Sequence, residues 1–250
     1  MSHRHNIKCL IAYEGTHYLG WQKTRAGPSV EESLEKVLAQ VLQESLSLQA
    51  ASRTDRGVHA EGQVINFFSH KDKIDLQRLK KSINALLPDD IRLLQADIAS
   101  ETFHPSLDSI GKEYHYQICH SPIQMPIHRR FSWHVPFPLD IDAMRKGFDV
   151  LQGCHDFSAF CNERTLWKGD CIRNINTMTI ASLENGRIQI SIIGTHFVYK
   201  MVRNLVGTLI YIGLGKIPLH TLPHILASKD RKLAGVTAPA HGLFLKKVFY

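Results

Sequence analysis

Apolar residues in this chain switch between strand period and helix period in one order, and that order occurs twice. Residues 6–13 alternate as a strand. Pro28-Ser29 then opens a helix, with Glu32 three positions after Ser29 in capping-box spacing and Val30, Leu34, Val37, Leu38, Val41 and Leu42 on one stripe. Strands are expected over 47–52 and 62–69, a second helix after Asp75 with Leu76, Leu79, Ile83 and Leu86 on one face, and a strand over 91–99. The order β-α-β-β-α-β is the ferredoxin-like arrangement, which packs helices on one face of an antiparallel sheet and leaves the other face open. After residue 100 the order returns, with strands expected over 112–120, 173–182, 187–194 and 243–250 and helices over 140–152 and 197–213. The Pro-rich stretch Ser121 to Pro138 reads as a loop. The expected fold is therefore α+β, with ferredoxin-like (RRM-like) halves over residues 1–105 and 106–250. They are expected to share a mostly antiparallel central sheet, and a cleft across it would suit a polymer better than a small metabolite.

Thirty Lys and Arg against twenty-three Asp and Glu give +7 and a pI near 9.2, so a polyanion is the first partner to consider. The five cysteines are odd in number and form no C-x-x-C pair, which argues against a disulfide framework and for a reducing compartment. Cys154, His155, Cys161 and Cys171 match no common zinc spacing. Met1-Ser2-His3-Arg4-His5-Asn6 is too short and polar to export or anchor a protein, so a cytoplasmic location is expected.

Chemistry concentrates in Ser52-Arg53-Thr54-Asp55-Arg56-Gly57-Val58-His59-Ala60, which sets a carboxylate between two guanidinium groups just before a glycine. Neighbouring positive charge favours the anion, as a nucleophile requires. An Arg-Asp pair that merely holds a loop would read the same way.

Four more segments accompany it: Tyr13 to Gln22, Lys112-Glu113-Tyr114-His115-Tyr116, His155 to Phe160, and Phe197 to Gly207 with Met201-Val202-Arg203-Asn204. With Ala238-Pro239-Ala240-His241-Gly242-Leu243, these motifs resemble, in order and over essentially the whole chain, those of the tRNA pseudouridine synthase A family. The resemblance implies a homodimeric isomerase, without cofactor or metal, that converts uridine to pseudouridine at positions 38, 39 and/or 40 of the tRNA anticodon arm. It also implies catalytic roles for Asp55, Tyr114 and Arg203.

The residue types suit that reaction. Uridine isomerisation breaks the N1–C1′ bond, turns the base, joins C5 to C1′ and releases the C5 proton, so it needs a carboxylate, an unstacked base and a proton acceptor. Asp55 could attack C1′, add at C6 or remove a sugar proton. Tyr114 can stack on the extruded base, although Tyr114 and Tyr116 alternate on a strand, where aromatic residues are favoured in any case. Arg203 shares with Lys200 and Asn204 the polar face of an otherwise apolar helix, and a guanidinium in such a setting seeks a carboxylate or phosphate. Arg53, Arg56, Lys200 and Asn204 are the candidate RNA contacts. Arg56 stands where the family usually has a small residue, and Pro105-Ser106-Leu107 replaces its usual Ala-Arg-Phe. Trp21 is expected to pack in the interior.

Two other classes fit parts of the pattern. A non-catalytic RNA-binding protein of two RRM-like halves would need an aromatic strand signature, which Gln63 to Phe68 lacks. A metal-dependent nuclease built on Asp55 and Asp156 would need a denser carboxylate cluster.

Overall fold

The computed structural model describes residues 4–162 and 170–250, so Met1, Ser2 and His3 of the N-terminal string lie outside the described residues. The first alternating run becomes β1 (His5–Tyr13), which buries Ile7, Cys9, Ile11 and Tyr13. Ser29 caps α1 (Val30–Leu42) by accepting a hydrogen bond from the Glu32 backbone N–H at 3.2 Å, and the helix buries Val30, Leu34, Val37, Leu38 and Leu42. After β2 (Gln49–Ala50) and β3 (His59–Ser69), Asp75 caps α2 (Leu76–Leu86), which buries Leu79 and Ile83 and leads to β4 (Ile91–Ala99). β1 lies between β3 and β4 and is antiparallel to both. Side chains of Cys9, Ile11, Leu34, Leu38, Ile65, Ile83 and Leu93 meet in a packed core between sheet and helices.

The strand expected over 47–52 is only two residues long. Gln63 explains its early end, because its side-chain amide binds both backbone groups of Ser52, accepting from N–H at 3.2 Å and donating to C=O at 2.6 Å. The chain therefore leaves the ladder at the start of the Asp55 segment. The sheet's other face is also less open than expected. Asn6 donates to Ser100 O and Phe103 O, and Lys8 lies over the rings of Phe103 and Tyr250.

The second unit begins with β5 (Gly111–Cys119), which carries the short parallel β6 (Trp133–His134). α3 (Ile141–Leu151) is capped by Asp140, and β7 (Gly153–Asp156), β8 (Ile172–Leu183) and β9 (Arg187–Gly194) follow. β9 pairs antiparallel with β5 and β8, and β7 pairs antiparallel with β8. α4 (Met201–Gly213) is buried on nearly every side, and Gly147 of α3 allows close packing, since a Cβ there would come within 2.8 Å of Leu209 Cδ2. The helix expected from 197 starts only at 201, because Lys200 adopts φ +61° and breaks the helical path.

β7 and the short helix α5 (Leu222–Ser228) have no counterpart in the periodicity reading. The last strand, β10 (Leu243–Phe249), pairs in parallel with β3 through Phe244 with His59 and Leu245 with Ala60. The chain thus divides into Met1–Ile110 with Phe244–Tyr250, and Gly111–Leu243, so the closing residues join the first unit and not the second. The architecture is α+β and mostly antiparallel. Among the described residues no helix is long and apolar enough to cross a membrane.

Candidate active site

Asp55 lies in the first unit on the loop between β2 and β3. Backbone contacts define the loop's path. Trp21 N–H donates to Thr54 O at 3.0 Å and Val58 N–H to Asp55 O at 3.1 Å, while Tyr13 Oη and Thr54 Oγ1 share a buried hydrogen bond of 2.7 Å. Gly20, at φ +105°, admits no side chain, since a Cβ would lie 2.8 Å from Thr54 O. Trp21 is 2% exposed and packs near Tyr13, as the sequence reading expects. His59 closes the loop, accepting from Gly15 N–H at Nδ1 and stacking on Phe244 at 4.8 Å between centroids. Asp55 is half-buried within this frame. Arg53 and Arg56 are exposed, and backbone and Thr54 contacts contribute to holding the loop.

Tyr114 and Arg203 belong to the second unit. Tyr114 sits on β5 opposite Ile192, 8% exposed, with Phe197 edge-on at 5.1 Å. Lys112, one pleat earlier, is buried as well, and desolvation lowers its ammonium pKa. Tyr116, one pleat later, is fully buried and donates its hydroxyl to Pro239 O at 2.7 Å. Burial pushes its phenol pKa up, with the charge of Arg203 acting in the opposite direction.

Arg203 is on the first turns of α4 and half-buried. Its Nε donates to Ala238 O at 2.7 Å, and Ala238 N–H donates to Arg203 O at 3.0 Å. Burial depresses the His241 pKa, a hydrogen bond to the Ser132 backbone acts to raise it, and the charge of Arg203 acts with burial. Lys200 is half-buried with Nζ 5.0 Å from the Tyr199 ring.

Asn204 is placed differently from what its helix face suggests. It is fully buried, donating Nδ2 to Phe160 O at 2.7 Å and accepting at Oδ1 from Thr237 Oγ1 at 2.6 Å and Arg231 Nη2 at 3.0 Å. An amide so occupied has little left to offer RNA. The polar stripe that Arg203 shares with Asn204 is therefore covered by the 231–239 loop and not by solvent.

Asp156, the second carboxylate of the nuclease reading, belongs to the second unit, where its Oδ2 pairs with Lys229 at 2.7 Å and its Oδ1 accepts from Ser158. Cys154 is exposed while Cys161 and Cys171 are buried. Among the described residues no group of three or more His, Cys, Asp or Glu is placed to hold a metal ion.

A sequence-family model described as tRNA pseudouridine synthase matches residues 10–106 and 148–250, covering both the Asp55 loop and the Arg203 helix. The chain belongs to the tRNA pseudouridine synthase family. It is 54% identical over 246 residues to tRNA pseudouridine synthase A 2 of Protochlamydia amoebophila, covering 98% of this chain and 94% of that protein. The tRNA pseudouridine synthases A of a Thermoanaerobacter species and of Bacillus pumilus are 42% and 38% identical, each match covering 98% of this chain and 99% and 98% of theirs.

Proposed function

We propose that the protein isomerises uridine to pseudouridine at positions 38, 39 and/or 40 of the tRNA anticodon stem-loop, as a cytoplasmic homodimer, with Asp55 as the nucleophile on a flipped-out uridine. The observation that carries this reading is near-full-length identity to proteins named tRNA pseudouridine synthase A. The site chemistry is compatible with it. The path of the loop that carries Asp55 is fixed by Trp21 N–H on Thr54 O, Val58 N–H on Asp55 O and the Tyr13–Thr54 hydrogen bond, and a fixed backbone suits a group that must be held in place for reaction. Tyr114 supplies a ring for stacking on uracil and a hydroxyl near C5. Arg203 supplies a planar cation for a carboxylate or phosphate, and the outward Arg53 and Arg56, with Lys200, suit the phosphates flanking the target nucleotide. The reaction leaves the redox state and atom count of the nucleoside unchanged, so these side chains suffice in principle.

The test is tritium release from C5-labelled uridine in bulk tRNA, comparing the protein with Asp55→Ala. Release by the intact protein and none by the variant is expected. Absence of release with correctly folded protein would overturn the reading.

Two outcomes follow from the same chemistry. Tyr114→Phe keeps the ring and loses the hydroxyl, so tRNA affinity should stay within about twofold while turnover falls by about tenfold or more. Full turnover in that variant would remove the hydroxyl from the mechanism. Binding through phosphates displaces condensed counterions, so affinity for tRNA should drop by about 10²-fold or more between 50 and 200 mM salt. A filter-binding titration with a flat salt dependence would contradict that.

A further inference from the structure

We infer that Tyr116 and Asn204 are positioning residues, which fix the Ala238 carbonyl and through it the guanidinium plane of Arg203. The inference rests on the catalytic role proposed for Arg203 and adds the device that orients it.

Its basis is a chain of short polar contacts around a loop that has no regular structure of its own. Ala238 is fully buried and meets Arg203 twice, accepting from Nε at 2.7 Å and donating its N–H to Arg203 O at 3.0 Å. A guanidinium held at Nε has its plane set, and the direction of its terminal nitrogens with it. The carbonyl can serve only if its own segment is fixed, and both adjoining residues are tied. On one side, Thr237 Oγ1 donates to Asn204 Oδ1 at 2.6 Å, and Arg231 Nη2 reaches the same oxygen at 3.0 Å. On the other side, Pro239 O accepts the Tyr116 hydroxyl at 2.7 Å.

Close packing removes the remaining slack. A Cβ on Gly207 would lie 1.7 Å from Val236 O, and one on Gly242 would lie 2.6 Å from Tyr116 Cζ. Thr208 Oγ1 donates to Asn204 O and accepts from Gly235 N–H at 2.9 Å. α4 and the loop that follows Arg231 are thus joined between Arg203 and Thr208 by backbone approach and hydrogen bonds. Tyr116 reaches the same loop from β5, so the strand that carries Tyr114 and the helix that carries Arg203 are fixed to one short segment. The Tyr116 hydroxyl, buried and protonated, is a dependable donor to Pro239 O.

The experiment measures single-turnover pseudouridine formation with saturating enzyme, tRNA affinity and thermal unfolding for Tyr116→Phe, Thr237→Val, Thr237→Ser and Arg203→Lys. Tyr116→Phe and Thr237→Val should each slow the reaction by about tenfold, about 1.4 kcal/mol of activation free energy, with tRNA affinity within about twofold. Thr237→Ser, which keeps the hydroxyl, should regain most of the rate lost in Thr237→Val. A folded Tyr116→Phe or Thr237→Val at the normal rate would overturn the inference, as would a loss confined to tRNA affinity. If Tyr116→Phe does not fold, the Thr237 pair decides alone. Arg203→Lys separates the two levels. Slow Arg203→Lys beside normal clamp variants defeats the inference alone, whereas a normal rate in Arg203→Lys defeats the reading beneath it.

Discussion

Asp55→Asn will bind tRNA within about tenfold of the unaltered protein, or about 1.4 kcal/mol, and will form no pseudouridine. The substitution is nearly isosteric and keeps hydrogen-bonding capacity while removing the anion. The loop also has anchors that the substitution does not touch: Trp21 N–H to Thr54 O, Tyr13 to Thr54, Val58 N–H to Asp55 O and the close approach of Gly20. Mass-spectrometric detection of pseudouridine in treated tRNA, beside a thermal melt and a binding titration, makes the comparison. Continued conversion by folded Asp55→Asn would end the proposed mechanism.

The second large effect belongs to Arg203→Lys, which keeps the charge and discards the planar fork. Lysine has no Nε–H at that position to reach Ala238 O, so a buried carbonyl loses its side-chain partner and the ammonium is no longer oriented. The lost bond should lower stability by about 1–2 kcal/mol. Activity should fall further, by about 10²–10³-fold, the range seen when one preorganised electrostatic group is removed from an active site. Melting and single-turnover measurements on the same preparation distinguish a loosened fold from a disarmed site. A wild-type rate in stable Arg203→Lys would take the guanidinium out of the reaction.

Local signals and tertiary ones differ sharply in how far the sequence discloses them. The caps at Ser29 and Asp75 and the stripes of α1 and α2 are legible because each is settled within a few residues. The Asp55 segment stands out only in company, because an acidic residue between arginines before a glycine also fits a loop-holding pair and the motifs around it are what mark it. Asn204 is misjudged for a definite reason. A helical stripe gives the direction of a side chain and not what covers it, and here the cover is the irregular segment that carries Arg231 and Thr237, 27 and 33 positions further on. Tyr116 is equally silent, since Pro239 O is 123 positions away. At the start of α4 the apolar spacing runs on through Phe197 and Val198, while the backbone at Lys200 does not. β7 is four residues long with a charged end, too short for alternation to register.

The pairing of β10 with β3 has a consequence for how the molecule is made. His59, which ends the Asp55 loop, stacks on Phe244, and Ala60 pairs with Leu245. Those partners leave the ribosome only after every residue of the second unit has been synthesised. Until then β3 lacks its β10 partner at His59 and Ala60, and the Asp55 loop lacks the Phe244 ring beside His59. A nascent chain can assemble β1, α1, α2 and β4 early, yet the frame of its Asp55 loop is completed only once residues 244 and 245 have emerged. Ribosomes stalled short of residue 244 would hold a first unit without its β3–β10 pairing.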